Sequence, residues 1–437
     1  MDNTVILKER FSGYYATYIA PAEFSVSDKL PDNHPHNLLA RGMKLFRDGE
    51  TVQGMDLIAE SAESGNAFAA YTIGVCYIFS ANKKDPESYE GMLANGVEWL
   101  TFAASLGNDQ AMVALAFFYM AEDCPHRSDE NTAKWFKRAA EAGNVEGMYE
   151  YGSCFLSGCG VKQDFLQSAF WLEKAANLGA PLAQFELAVQ YSLGEGVAKN
   201  PQKAIELFRK AADQGHPGAM AGLAEHYYDG DGVKKDYAEA YLLYYRCYKA
   251  GNPKGNLGLA HFYLDNEVMP PDYQTALQLL STDEAINYAP AQKLRTSILE
   301  QFTEHAGKNA PYALTQLGWA ALNGVAFEGN KERAYHFIST AAKMAVPLAR
   351  CLLRCYLNEY ADPNAASIEE CQAFYHSQIE YGVHWAAREL LLMAMRGDYE
   401  ATEDEVFNLY TKALELWDFA ARDDFYSRES KEQNSEN

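Results

Sequence analysis

Glu225 and His226 stand side by side in a stretch whose apolar residues recur at helical spacing, and His261 follows 35 residues later. An imidazole next to a carboxylate can relay protons or hold a small ligand. Two cysteine pairs, Cys154/Cys159 and Cys351/Cys355, and the pair His34/His36 are each half of a metal site by residue type. A metal site needs three or four ligands at set spacing, and no Cys/His set here has it. The eight cysteines (76, 124, 154, 159, 247, 351, 355, 371) fall mostly on apolar helix faces and read as free thiols of a reducing compartment. Pro35 between the two histidines reads as an exposed loop. No metal and no cofactor is expected. A nucleophile elbow, a P-loop and an H-E-x-x-H are all absent from the sequence. The Gly-x-Gly runs Gly158-Cys-Gly160, Gly194-Glu-Gly196 and Gly230-Asp-Gly232 look like half of a dinucleotide fingerprint. They recur every 36 residues with no strand before them, so they read as turns. These signs point away from an enzyme.

Charge narrows the partners. The 437 residues carry a net charge of −23 with no basic cluster. Phosphate backbones and anionic lipid surfaces require basic stripes, so nucleic acid and membrane surfaces are disfavoured. A basic protein surface would be drawn in. The first residues, MDNTVILKERFSGYYATYIA, are interrupted by Lys8, Glu9 and Arg10 and do not make a secretory signal. No window approaches the roughly 18 apolar residues of a membrane span. The expectation is a cytoplasmic protein without membrane insertion.

The elements that hold these residues come from an internal repeat. Gly107, Gly143, Gly179, Gly215 and Gly251 are each 36 apart, and Gly65 precedes them by a longer step. In the same register run a large column (Leu115, Tyr151, Leu187, Leu223, Leu259), a small one (Ala116, Gly152, Ala188, Ala224, Ala260) and an aromatic one (Tyr119, Phe155, Tyr191, Tyr227, Tyr263). Residues four apart share a helix face, so the large and aromatic columns bury together while the small residue lets a neighbouring helix approach. The double glycine ends the first helix, and Asp164 or Asn200 starts the second. Each unit is therefore a pair of antiparallel helices of roughly 12–15 residues, which can bury its apolar faces only against neighbouring pairs.

The pattern A-x-x-x-L-G-x-x-Y-x-x-G-x-G-V followed by A-x-x-W-x-x-K-A-A-x-x-G resembles the Sel1-like repeat, a relative of the tetratricopeptide repeat. Leu187 to Gly215 (LAVQYSLGEGVAKNPQKAIELFRKAADQG) carries it well. The resemblance is strong over 109–251 and weaker out to about 38 and 420. It implies an all-α, right-handed α/α superhelical solenoid of about ten helix-turn-helix repeats. The expected divisions are an irregular N-terminal cap at 1–37, a repeat array at 38–288, divergent helical repeats with a C-terminal cap at 289–424, and a disordered polar tail at 425–437. Residues 289–309 read as one helix and a connector.

In such superhelices one stripe of the first helix lines a concave groove. Reading that stripe gives Phe117, Tyr149, Phe185, Glu225, Tyr228, His261 and Trp319 as candidate partner contacts. Large aromatics carry much of the energy at protein interfaces. The leading reading is a non-enzymatic scaffold or adaptor that holds a protein or peptide in this groove, with a basic partner favoured. An immunity or inhibitor protein that neutralises a toxin would share the same groove chemistry. A small-ligand binder or enzyme would instead use the Glu225/His226/His261 region. No oligomeric state follows from the sequence.

Overall fold

The computed structural model describes residues 26–415 apart from 28, 49–50, 82–85, 123, 266, 268–270, 309, 326–328 and 382. Most of the expected N-terminal cap, part of the long loop before Gly107, and the polar tail lie outside the described residues. Among those described are 22 α-helices, one short 3-10 helix and no strand. The chain divides into two compact units, Met1–Ala219 and Met220–Asn437.

In the first unit successive helices pack as hairpins: α1 (Pro35–Arg47) on α2 (Thr51–Glu63), α3 (Ala67–Ser80) on α4 (Pro86–Ser105), α5 (Asp109–Met120) on α6 (Asp129–Glu141), α7 (Val145–Ser157) on α8 (Phe165–Asn177), and α9 (Pro181–Leu193) on α10 (Pro201–Asp213). The division falls in the first turn of α11 (Pro217–Asp229). The second unit continues with α12 (Tyr237–Lys249), α13 (Pro253–Leu264), α14 (Tyr273–Leu279) and the short α15 (Asp283–Ile286). A single longer helix, α16 (Ala289–Gly307), interrupts the pairing where the sequence leads one to expect it. Three more pairs follow: α17 (Pro311–Leu322) with α18 (Lys331–Lys343), α19 (Pro347–Tyr356) with α20 (Ile368–Glu380), and α21 (His384–Arg396) with α22 (Glu403–Glu415).

The sequence columns explain why these helices form and stack. Leu115, Tyr151, Leu187, Leu223 and Leu259 are at most 7% exposed, and the alanines beside them are fully buried. Burying such a side chain is worth about 1.5–3 kcal/mol, repeated once per hairpin. From α6 onward the second helix of each pair opens on a side-chain cap. The Asp164 carboxylate accepts from the Leu166 and Gln167 N–H groups at 3.0 and 3.1 Å, and Asn200 accepts from Lys203 N–H at 3.1 Å. Gly158 ends α7 with φ 77° and Gly194 ends α9 with φ 79°, both left-handed. The second glycine of each turn has another reason to be there. A methyl on Gly160 would lie 1.9 Å from the Asp129 carbonyl oxygen, and one on Gly196 would lie 2.1 Å from that of Phe165. The turn of one hairpin thus rests on the start of the second helix of the preceding hairpin, and that contact stacks the repeat.

His34 and His36 are not an exposed loop. Pro35 opens α1, where its missing N–H costs nothing, and His34 Nδ1 accepts the His36 N–H at 3.2 Å. Both histidines are half-buried.

Candidate functional site

In the second unit, α11, α12 and α13 enclose an open cleft of about 650 Å³. One wall is α11, which presents Glu225, Tyr228 and Asp229 at helical spacing, three and four apart. The other wall is α13, with Lys254, Leu257, Gly258, His261 and Leu264 on one face and Asp265 just past its end. Tyr244 of α12 reaches in from behind, and Tyr288 lines the edge.

Each side chain has a physical reason for its position. The Tyr228 hydroxyl donates to the Asp265 carboxylate, joining α11 to the end of α13. Its ring stands edge-on to Tyr237, with centroids 5.4 Å apart. Tyr244 is only 6% exposed. Its ring lies against the backbone of α13, where a methyl on Gly258 would come within 2.2 Å of it. Gly258 therefore makes the space that the ring fills.

The electrostatics follow from that crowding. Glu225 is open to solvent, but the surrounding helices displace enough water to push its carboxyl pKa up, a rise that Lys254 and His226 partly offset. Desolvation lowers His261 below its ordinary value and so favours the neutral imidazole. Burial pushes the Tyr228 and Tyr244 phenols upward, and they stay protonated at any physiological pH. Among the described residues the side chains of Glu225, Asp229 and His261 and the Tyr244 hydroxyl have no hydrogen-bond partner. The cleft sets the Glu225 and Asp229 carboxylates and the Tyr244 phenol beside the Tyr228–Asp265 pair and apolar side chains, an arrangement suited to hold a cation with an apolar stem.

The structure brings Glu225, Tyr228 and His261 together, as their stripe suggests. It does not bring His226 to them. That imidazole is 7% exposed, with Nδ1 2.8 Å from the Asp231 carbonyl, and so ties down the turn after α11. Phe117 and Trp319 are 7% exposed each. Phe117 packs edge-on to Phe136 at 5.2 Å, so both positions serve the interior, which corrects the expectation that they face a groove. Tyr149 is half-buried on α7, and half-buried Phe185 lies 4.7 Å from the His216 ring. Sequence reasoning missed Asp229, Tyr244, Gly258, Asp265 and Tyr288. Tyr244 sits on a second helix, outside the stripe that was read, and only the glycine at 258 hints at a ring packed across from it.

All eight cysteines are free. The neighbouring Cys351 thiol, and then burial, push Cys371 up to about 12 against an opposing pull from Cys355. Burial, and then the neighbouring Cys159, raise Cys154 to about 12. Both are protonated thiols at neutral pH and poor nucleophiles. Among the described residues no group of three or more His, Cys, Asp or Glu is placed to hold a metal ion. No described helix is long and apolar enough to cross a membrane.

Two stacks of helical hairpins, one with an open cleft on its first-helix face, define an all-α helical-repeat protein. The chain is a Sel1-repeat protein: the Sel1 repeat matches residues 109–144, 145–179, 181–216, 217–252, 255–282 and 311–346. A protective antigen present in uropathogenic Escherichia coli strains, described as displaying an SLR fold, is 21% identical over 91% of this chain and 95% of its own, with a TM-score of 0.51. That likeness carries the fold alone. A Sel1 repeat protein from Oxalobacter formigenes is 23% identical over 80% of this chain and 92% of its own, with a TM-score of 0.49. An immunity protein from Pseudomonas aeruginosa is 21% identical over 50% of this chain and 81% of its own, with a TM-score of 0.32. No curated protein matches the chain. Sel1-repeat proteins generally mediate protein–protein interaction and are typically non-catalytic scaffolds.

Proposed function

We propose that this chain is a non-catalytic scaffold that docks a basic partner protein in the cleft between α11 and α13, working in the cytoplasm. The observation that carries the reading is the unpaired wall of the cleft. Glu225 and Asp229 lie beside Tyr228 and Tyr244, open to an incoming chain, with Glu225 partly desolvated. An interface of this kind gains affinity from aromatic anchors and orientation from charge. Half-buried Tyr149 and Phe185 are candidate further contacts on the first unit.

A photo-crosslinking phenylalanine analogue in place of Leu257 tests this. A second chain would carry the analogue at exposed Phe407 on α22. The expected result is one partner captured at 257 and not at 407, lost when Tyr228→Ala is added, and binding the purified chain directly. Equal capture at both positions, or capture insensitive to Tyr228→Ala, would move the docking site away from the cleft.

A further inference from the structure

We infer that the cleft between α11 and α13 is a receptor for an arginine side chain presented by the partner protein, an assignment that rests on the docking reading above. Glu225 and Asp229 are one helical turn apart on α11. Side chains at that spacing have Cβ atoms about 5–6 Å apart, so two carboxylates point into the same opening. Neither has a hydrogen-bond partner among the described residues. Asp265 is already engaged by Tyr228 and by the Glu267 N–H at 2.8 Å. Two charges thus await a donor.

The second observation is independent of the acidic wall. Tyr244 is more than nine-tenths buried, lines the cleft, and has a hydroxyl without a hydrogen-bond partner among the described residues. The ring is covered but its oxygen keeps contact with solvent at the cleft, where an entering ligand N–H would take the place of water. A planar guanidinium meets all three demands. Its fork can span two carboxylates, its edge can donate to a phenol oxygen, and its face stacks on tyrosine rings. It is also more weakly hydrated than an ammonium, which matters where burial already raises Glu225. Lys254 on the opposite wall sets the limit, because its charge opposes a run of cations. One arginine on an otherwise neutral segment fits best.

The test uses the full chain and three fluorescent pentapeptides that differ only at the centre: Ala-Ala-Arg-Ala-Ala, its lysine twin and its citrulline twin. Citrulline keeps the shape and loses the charge. The arginine peptide should bind at least about tenfold tighter than the citrulline peptide, a difference of about 1.4 kcal/mol, and tighter than the lysine peptide. Glu225→Gln with Asp229→Asn should remove the preference. Tyr244→Phe, checked by circular dichroism for unchanged helicity, should weaken arginine binding several-fold. Glu403→Gln with Asp404→Asn removes the same charge from exposed positions on α22 and should change nothing. Equal binding of the three peptides, or equal loss in the α22 variant, overturns the assignment. Crosslinking at position 257 reports separately: capture without arginine selectivity leaves docking standing and removes the arginine, while loss of capture removes docking itself.

Discussion

At position 258 a hydrogen atom does what no other side chain can. The Tyr244 ring occupies the volume that a Cβ would need, 2.2 Å away, so Gly258→Ala must push either the ring or α13 aside. Overpacking of this kind costs about 1–3 kcal/mol. Urea denaturation should show that loss, and arginine-peptide binding should fall with it. Tyr244→Phe should leave the midpoint nearly unchanged while still weakening the peptide, which separates the shape of the cleft from the hydrogen bond inside it. Glu225 supplies a pH dependence. Its folded pKa is raised above the ordinary carboxylate value of 4.5 by desolvation, against the pull of Lys254 and His226 and with Asp229 pushing the same way. The folded state therefore favours the protonated form, so the stability this group contributes is present below about pH 4.5 and lost as pH rises through its raised value. Glu225→Gln should stabilise the chain at pH 7 and have no effect at pH 4, read from denaturation midpoints at the two pH values. Binding of a cation runs the other way. It needs the charged carboxylate, so arginine-peptide affinity in the wild type should climb through the same window, and the climb should flatten in Glu225→Gln. A flat wild-type profile would show that Glu225 does not face the ligand.

Elements in a repeat array are held by caps, turns and nearest neighbours, and these have different strengths. Asp164 caps α8 with two hydrogen bonds near the surface, and Asp164→Ala should cost about 1 kcal/mol. Gly160→Ala places a side chain at φ 66° and drives a methyl to 1.9 Å from the Asp129 carbonyl oxygen. The left-handed backbone alone costs about 1–2 kcal/mol, and the clash adds to it. Gly160→Ala should therefore destabilise at least twice as much as Asp164→Ala in the same urea titration. Because each hairpin touches only its neighbours, amide exchange should rise in α6, α7 and α8 and not in α1 or α2. Equal costs for the two substitutions would show that the turn does not stack the repeat. These elements were legible because a 36-residue period repeats every capping and packing demand at the same offset, so five independent columns report one hairpin. The side of a helix that stays open was not legible in the same way. Phe117 and Glu225 occupy equivalent stripe positions three repeats apart, yet Phe117 is covered by the Phe136 ring while Glu225 faces a cleft. What covers a stripe depends on side chains of the facing helix, which vary from repeat to repeat and carry no period. His34 and His36 were misread for a related reason: a proline between two polar residues marks a loop or the first turn of a helix, and only the helix that follows decides which.

Across the whole molecule, 60 acidic residues against 37 lysines and arginines leave a net charge of −23. Charge on that scale acts at a distance and on the rate of meeting, whereas Glu225, Asp229 and Tyr244 act at contact and on the rate of leaving. The two contributions can be separated with salt, since the screening length falls from about 30 Å at 0.01 M to about 3 Å at 1 M. For a partner that presents arginine, the association rate should drop about tenfold or more between those extremes, while dissociation changes far less. Glu225→Gln removes one charge of many, so it should leave the association rate and its salt slope almost intact and speed dissociation. Neutralising several exposed acids away from the cleft should do the reverse. Stopped-flow or surface-based kinetics on the crosslinked partner, at a series of salt concentrations, would read both rates for both variants. If Glu225→Gln slowed association as strongly as the distant neutralisations, the carboxylate would be one more part of the general field, and the cleft would lose its claim to be where the cation sits.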